Sequence, residues 1–283
     1  MLTLRQVHQA LEESESLKII AQAYTELAAL KLQKIRFGIE QNRTFFQEVK
    51  GVLRAVKVAA EKRGIAQTSK KKGMISLVLT SNHHFYGNLE NQLLDYFVEN
   101  STKFPTDRIV VGSTGTEFLK QTKYSYPYKS LVFKDDLPFT QDMHDLVSEL
   151  AQYEQILVYY SRMRSVLIQE PHVVDLLQQP PEQYLNAPER SLDYIFEPEI
   201  ESMLDFFNNQ ITTLLLEQTF LESELARTAA RIVSMDQAQG NADDYIKSQR
   251  KQLSQAKRAT DNNQLLDTIS RMINWRRGNN AQQ

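Results

Sequence analysis

The sequence predicts an α/β protein: a long antiparallel coiled coil, built from N- and C-terminal helices, with an inserted Rossmann-like α/β domain. Three observations predict it. All eight prolines lie between Pro105 and Pro198, so both ends of the chain can form long helices. Apolar residues recur at spacings of three and four through each end. Between the ends, strand-like and helix-like runs alternate, as in a largely parallel sheet flanked by helices. The expected parts are an N-terminal coiled-coil helix over 1–72, an α/β domain over 73–198 and a C-terminal coiled-coil helix over 199–283.

The first arm carries Leu4, Val7, Leu11, then Ile20, Tyr24, Leu27, and again Phe46, Val49, Leu53, Val56 and Ala60 on one predicted stripe. A helix that long needs a partner along its length. The last arm supplies one, with Leu204, Phe207, Ile211, Leu214, Leu221, Leu225, Ile232, Met235, Ile246, Leu253, Leu266, Ile269 and Ile273 at helical spacing. Alanines gather at Ala226, Ala229 and Ala230 and at Ala21, Ala23, Ala28 and Ala29, where they let two helices approach closely. In between, strands are expected at 74–81, 107–113, 129–135, 156–161, 165–170 and 193–198, and helices at 88–100, 116–123 and 140–155. Residues 171–191, rich in Pro, Gln and Glu, read as a surface connection.

Composition sets limits on chemistry. With 283 residues, 41% hydrophobic and 24% charged, the chain has the make-up of an ordinary globular protein, and no run approaches the roughly 18 apolar residues of a membrane span. No signal peptide is recognisable, which predicts a protein that is cytosolic or peripheral to a membrane. The absence of Cys removes disulfides, thiolate catalysis and cysteine-held zinc. The net charge of −2 hides an asymmetry. Residues 1–72 hold 14 Lys/Arg against 7 Asp/Glu, residues 73–198 hold 9 against 17, and residues 245–283 hold 8 against 2. Basic ends suit an anionic partner, either nucleic acid or an acidic protein surface, and equally suit a solvated helix face.

Candidate sites are few. LTSNHHFYGNLE, 79–90, pairs His83 with His84, but adjacent residues of an extended loop point apart and no third ligand has a helpful spacing. VGSTGTEFLK, 111–120, has the strand, glycine turn and helix start of a phosphate cradle, centred on Gly112 to Thr116, without a GxGxxG or P-loop ending. Asp135/Asp136 and Asp243/Asp244 flank no obvious pocket. KSQRKQLSQAKR, 247–258, spreads its cations around the last helix and lacks the interleaved aromatics of a single-strand binding groove.

The two arms and the 79–90 loop resemble the gamma subunit of F-type ATP synthases. That family's segment ARM-V-AM, followed by an asparagine and NKARQ-A-IT, is matched by ARIVSMDQAQGNADDYIKSQRKQLSQAKRATDN, with Ala230, Arg231, Val233, Met235, Ala238, Asn241, Ile246, Ala256 and Ala259 in agreement. In the first arm IIAQAYTELAALKL resembles KIT-AM--VAAAKL through Ile20, Ala23, Ala28, Ala29, Lys31 and Leu32, and DYIFEP resembles the lead-in to the last helix. Where the family writes LTSDRGLCGGLN this chain keeps Leu79, Thr80, Ser81, Gly87 and Leu89, but has Tyr86 for Cys and Glu90 for Asn. At the family's ARQ it has Lys257 and Arg258, and at the first-arm methionine Tyr24.

The resemblance implies a central-stalk rotor of an F-type ATP synthase or ATPase, coupling ion flow to ATP synthesis or hydrolysis, with no catalytic residues, cofactor or metal of its own, and the departures imply a variant or paralogous rotary ATPase. Its implied partners are alpha and beta subunits, epsilon and the membrane c-ring, with no nucleic acid. It would be a peripheral membrane protein on the cytoplasmic face of the inner membrane. Contacts to the alpha/beta ring are expected at Tyr24, Lys31, Lys247, Arg250, Lys251, Lys257 and Arg258. The readings left open beside it are a nucleotide-binding α/β enzyme with helical extensions and a coiled-coil scaffold that no longer rotates.

Overall fold

The computed structural model describes residues 4–62, 72–177 and 199–280. Helix α1 runs Leu4–Lys62 and the last helix, α5, runs Ile200–Asn280. Gly38, Gly51 and Gly240 are taken up as helical residues, since the many bonds of a long helix outweigh the cost of one Gly, about 1 kcal/mol each. Between them lie β1 (Lys72–Leu79), α2 (Leu89–Ser101), β2 (Thr106–Val111), α3 (Ser113–Gln121), β3 (Lys129–Leu131), α4 (Thr140–Leu150), β4 (Tyr153–Met163) and β5 (Gln169–Asp175). The chain divides into two compact units, one of residues 1–26 with 235–283 and one of residues 27–234.

In the larger unit the sheet has the order β3-β2-β1-β4-β5. β1 pairs in parallel with β2 (Leu77 opposite Ile109) and β4 (Leu77 opposite Val158), and β3 is parallel to β2. β5 closes one edge antiparallel to β4. Alternation along β1 feeds two cores. Ile75, Leu77 and Leu79 point to α4, through Met143, Leu146, Val147 and Leu150, and to Leu216 and Phe220 of α5. Val78 points the other way, with Val110 and Tyr159, against Leu93, Leu94 and Phe97 of α2 and Leu119 of α3. Helices α1 and α5 pack through Leu32, Ile35, Leu225 and Ala229, then Phe46, Val49 and Leu214, then Leu53, Val56, Ala60, Ile200 and Leu204. Rising numbers on α1 meet falling numbers on α5, so the pairing is antiparallel.

In the smaller unit Val7 and Leu11 of α1 meet Ile246 and Leu253 of α5. Polar links run alongside: Gln239 to Thr25 at 3.0 Å, Lys18 to Asp243 at 2.6 Å and Arg250 to Glu15 at 2.8 Å.

Several expectations are corrected. The stripe Ile20, Tyr24, Leu27 is exposed, and the packed face is Ala21, Ala28, Leu32 and Ile35. The alanines select that face because their small side chains permit close approach. Leu266 and Ile269 are exposed too, lying beyond the last packed pairs near Leu253, and the side chain of Ile273 lies outside the described residues. Helix α4 ends at Leu150, because Tyr153 already pairs with Lys72 across the sheet. Residues 165–168 form the turn of a hairpin, in which Ser165 N–H donates to Ile168 O at 3.1 Å, and residues expected in a surface connection are β5 up to Asp175. The rest of 171–191 from residue 178, and the expected strand 193–198, lie outside the described residues.

Candidate functional site

Two features carry functional information: a buried polar cluster that joins the β1–α2 loop to α5, and the exposed faces of the two long helices. The cluster lies wholly in the larger unit.

At the end of β1 the chain leaves the sheet through Thr80, Ser81 and Asn82, and these residues occupy the start of α3. Ser113 N–H donates to Asn82 Oδ1 at 3.0 Å, Thr114 N–H to Ser81 O at 3.1 Å and Gly115 N–H to Thr80 Oγ1 at 3.1 Å. Gly112, at φ 100°, lies so close that a Cβ there would sit 2.6 Å from Thr80 O. The amides that a phosphate would need are therefore already bonded by the chain itself, which counts against a nucleotide at Gly112 to Thr116.

Asp136, in the β3–α4 connection, gathers the other half of the loop. Its carboxylate accepts Ser81 Oγ–H at 2.8 Å, Asn82 N–H at 2.7 Å and Tyr86 O–H at 3.3 Å. Burial alone would raise its pKa, but Arg227, the Asn82 and Ser81 donors and His83 together hold it below the usual carboxylate range. Arg227 of α5 is fully buried; its Nε and Nη2 donate to Glu224 Oε2 at 3.1 and 2.7 Å and its Nη1 to Ser223 Oγ at 3.0 Å. Burial opposes its charge, yet Glu224, with Glu90, Asp136 and Tyr86, pushes its pKa up. Glu224 is in turn paired with Lys31 of α1.

Glu90, near the start of α2, accepts Ser81 N–H at 3.4 Å and Thr114 Oγ–H at 3.1 Å through one oxygen, while the other is buried without a partner. Burial raises its pKa, only partly offset by Arg227 and by the Ser81 and Thr114 donors. Arg231 completes the cluster. Its guanidinium sits 4.5 Å from the Tyr86 ring centroid and donates to Tyr86 Oη at 2.7 Å and His84 O at 3.4 Å. Burial raises the Tyr86 phenol pKa, with Asp136 adding to it. Around these groups pack Tyr86, Leu89, Ala226, Ala230 and Met163, and Tyr160 at the end of β4 donates to Glu222 of α5 at 2.9 Å.

Of the expected ring contacts, Lys31 is engaged by Glu224, Arg250 by Glu15, and Lys247 by Asp244 at 3.6 Å. Lys251, Lys257 and Arg258 are exposed and form no ion pair among the described residues. Tyr24 is 41% exposed, in line with exposed Leu17, Ile20 and Leu27. The last described turns of α5 expose Leu265, Leu266, Ile269 and Met272. His83 and His84 gain no ligating partners, and no group of three or more His, Asp or Glu suited to a metal occurs among the described residues. Sequence reasoning missed the cluster, although one signal was available. Arg227 stands among Ala226, Ala229 and Ala230 on a packed helix face, a position that demands a buried counter-charge.

The comparisons with known proteins agree with the geometry. The family model described as ATP synthase matches residues 3–272. An ATP synthase gamma chain of Staphylococcus saprophyticus is 22% identical over 95% of this chain and 98% of its own length. One from Pelotomaculum thermopropionicum is 24% identical over 87% of this chain and 89% of its own. The fold is shared with a chain of the Euglena gracilis mitochondrial ATP synthase structure, described as OSCP/F1/c-ring, at TM-score 0.56 and 16% identity, covering 88% of this chain and 96% of that one. A chain of the Tetrahymena thermophila central stalk/c-ring structure gives TM-score 0.55 at 18% identity, covering 77% and 99%. A match that spans nearly the whole chain, including both long helices and the sheet between them, places it: the chain belongs to the ATP synthase gamma-chain family.

Proposed function

We propose that this chain is the central-stalk rotor subunit of an F-type ATP synthase or ATPase, coupling ion flow through a membrane sector to ATP synthesis or hydrolysis by rotation. The family match over residues 3–272 carries the reading. In it the chain performs no bond chemistry: the alpha and beta subunits hold the nucleotides and the rotor presents a different face to each in turn. Exposed apolar side chains on α1 (Leu17, Ile20, Tyr24, Leu27) and late in α5 (Leu265, Leu266, Ile269, Met272) support it, since such stripes on single helices call for a surrounding partner. Among the expected ring contacts, Lys251, Lys257 and Arg258 are the cations most available to acidic loops of a ring, with Tyr24 as the apolar contact, while Lys31, Lys247 and Arg250 also serve pairs within the chain.

The remaining partners in this reading are an epsilon subunit and the c-ring, with no nucleic acid. The division into arms over 1–72 and 199–283 and a domain over 73–198 belongs to it as well. No described helix is long and apolar enough to cross a membrane, which suits a peripheral subunit held through the c-ring on the cytoplasmic face. Co-expression with alpha and beta subunits tests the proposal. The chain should co-purify with them, and ATP hydrolysis by the assembled complex should depend on it; recovery as a free monomer beside an active ring would sink the reading.

A further inference from the structure

At the amino ends of β1, β2 and β4, away from the buried cluster, the larger unit has a cleft of about 640 Å³. That volume lies within the roughly 300–1,000 Å³ of small-molecule sites. Its lining includes Lys103, Phe104, Asp107, Arg108, Tyr126 and Tyr153. Arg108 is 7% exposed, and its Nη1 donates to Thr106 O at 2.9 Å and its Nη2 to Ser101 O at 2.5 Å. The Tyr126 ring centroid lies 4.7 Å from the guanidinium, and Nε is buried without a partner.

Buried charges are ordinarily paired, because a desolvated ion without a counter-charge is costly. Arg227 obeys that rule through Glu224 at 2.7 Å. Arg108 does not: among the described residues its partners are two neutral carbonyls and a ring, and no carboxylate forms an ion pair with it. Its bond to Ser101 O caps the end of α2 but leaves the charge unanswered. Asp107, the one carboxylate on the described lining, is taken by the Tyr153 hydroxyl at 2.7 Å. With Lys103 and Arg108 against Asp107, the lining carries a net charge of +1. Lys103 is exposed and tied only to Glu99 and Asn100, each at 3.2 Å, so its ammonium can turn to a ligand. Phe104 and Tyr126 expose 55% and 45% of their surface beside these cations.

We propose that this cleft binds a small phosphate ester carrying a planar ring, as in a mononucleotide, with its phosphate at Lys103 and its ring against Phe104 and Tyr126. Arg108 acts on the phosphate through its charge, since Nε is covered, and the direct bond falls to Lys103. Aromatic faces next to cations are what a base and its phosphate require together. The site lies at the opposite end of the strands from Gly112 to Thr116, where the chain already uses the amides itself.

Isothermal titration of the full chain with AMP tests the site, with adenosine, inorganic phosphate and phosphatidylglycerol vesicles titrated beside it. AMP should bind once per chain with Kd below about 1 mM. Adenosine and inorganic phosphate each lack one half of the ligand and should bind about ten-fold or more weakly. F104A removes an exposed ring and should weaken AMP about five-fold or more. K103Q should weaken it by about two- to five-fold and blunt the dependence on salt. Both side chains are exposed, so melting temperatures should stay at the wild-type value and the affinities report the site alone. No saturable AMP binding overturns the inference and leaves Arg108 as a cap on α2. AMP binding that is unchanged in both variants overturns the placement in this cleft, and binding to the vesicles without binding to AMP replaces the nucleotide by a lipid headgroup. None of these outcomes bears on the rotor reading.

Discussion

Replacing Arg227 by Met would keep most of the side chain's volume and delete the charge that the buried carboxylates share. Arg227 and Glu224 are each 1% exposed, so neither can recover its lost partner from water. In R227M, Glu224 keeps only Lys31, whose side chain is 43% exposed, while Asp136 and Glu90 lose a facing cation. Removing one partner of a buried pair costs about 3–5 kcal/mol, because the remaining charge stays desolvated. At about 2–4 °C per kcal/mol for a chain of this size, the melting temperature should fall roughly 6–20 °C. Thermal unfolding of the full chain followed by circular dichroism reads the shift, and amide exchange across residues 72–175 localises it. The double variant E224L/R227M removes both charges and should recover part of the loss, since apolar replacement of a whole buried pair is often neutral. An R227M melt within about 2 °C of wild type would refute the account, for it would mean that the carboxylates do not depend on Arg227.

Four further outcomes are expected. Glu90 has a folded pKa above its unfolded value near 4.3, so its contribution is full below that value and is lost as pH rises through the folded one; E90Q should flatten this decline in melting temperature as pH is raised above the unfolded value. Asp136 has a depressed pKa, so its contribution holds above about 3.9 and is lost as pH falls through the folded value; D136N should lose that acid limb and cost about 1.5–3 kcal/mol at neutral pH in chemical denaturation. G112A forces a Cβ to 2.6 Å from Thr80 O at φ 100°, and should destabilise by about 1–3 kcal/mol in the same assay. Reversing the exposed cations in K251E/K257E/R258E should leave chain stability within about 0.5 kcal/mol while slowing association with alpha and beta subunits about ten-fold or more at low salt, measured by surface binding.

The elements that sequence reasoning located well are those whose pattern is local. MISLVL alternates between two apolar cores, and NLENQLLDYFVEN repeats at helical spacing, so β1 and α2 follow from neighbours within a dozen residues. β5 does not: QEPHVVD carries a proline, a histidine and two carboxylates, and is a strand because it pairs along the edge of β4, where Pro171 costs no inner ladder bond. The end of α4 was hidden for a related reason. No Gly or Pro follows Leu150, and the stop comes from the pairing of Tyr153 with Lys72 on a distant strand.

The two long helices were legible as a pair, but their contact face was not. Ile20 and Leu27 satisfy the apolar period as well as Ala21 and Ala28 do, and which stripe turns inward depends on how closely α5 approaches. The buried cluster was the least legible part. Ser81 meets Asp136 across 55 residues and Tyr86 meets Arg231 across 145, separations at which no spacing rule operates. His83 and His84 stand side by side in the sequence, whereas the groups of that loop that enter the cluster are the tyrosine, the serine and the glutamate around them.

The strand order has a consequence for what this sheet is for. β1 leads to β2 on one side while β4 lies on the other, and in open α/β sheets the crevice beyond the carboxyl ends of two such strands is where small ligands usually bind. Here that crevice receives the chain's own helix: Tyr160 at the end of β4 holds Glu222, and the loop after β1 holds Arg231. The guest in the receptor is α5. A crevice that elsewhere takes a metabolite is here filled by the chain's own last helix, which leaves the sheet a binding face for α5.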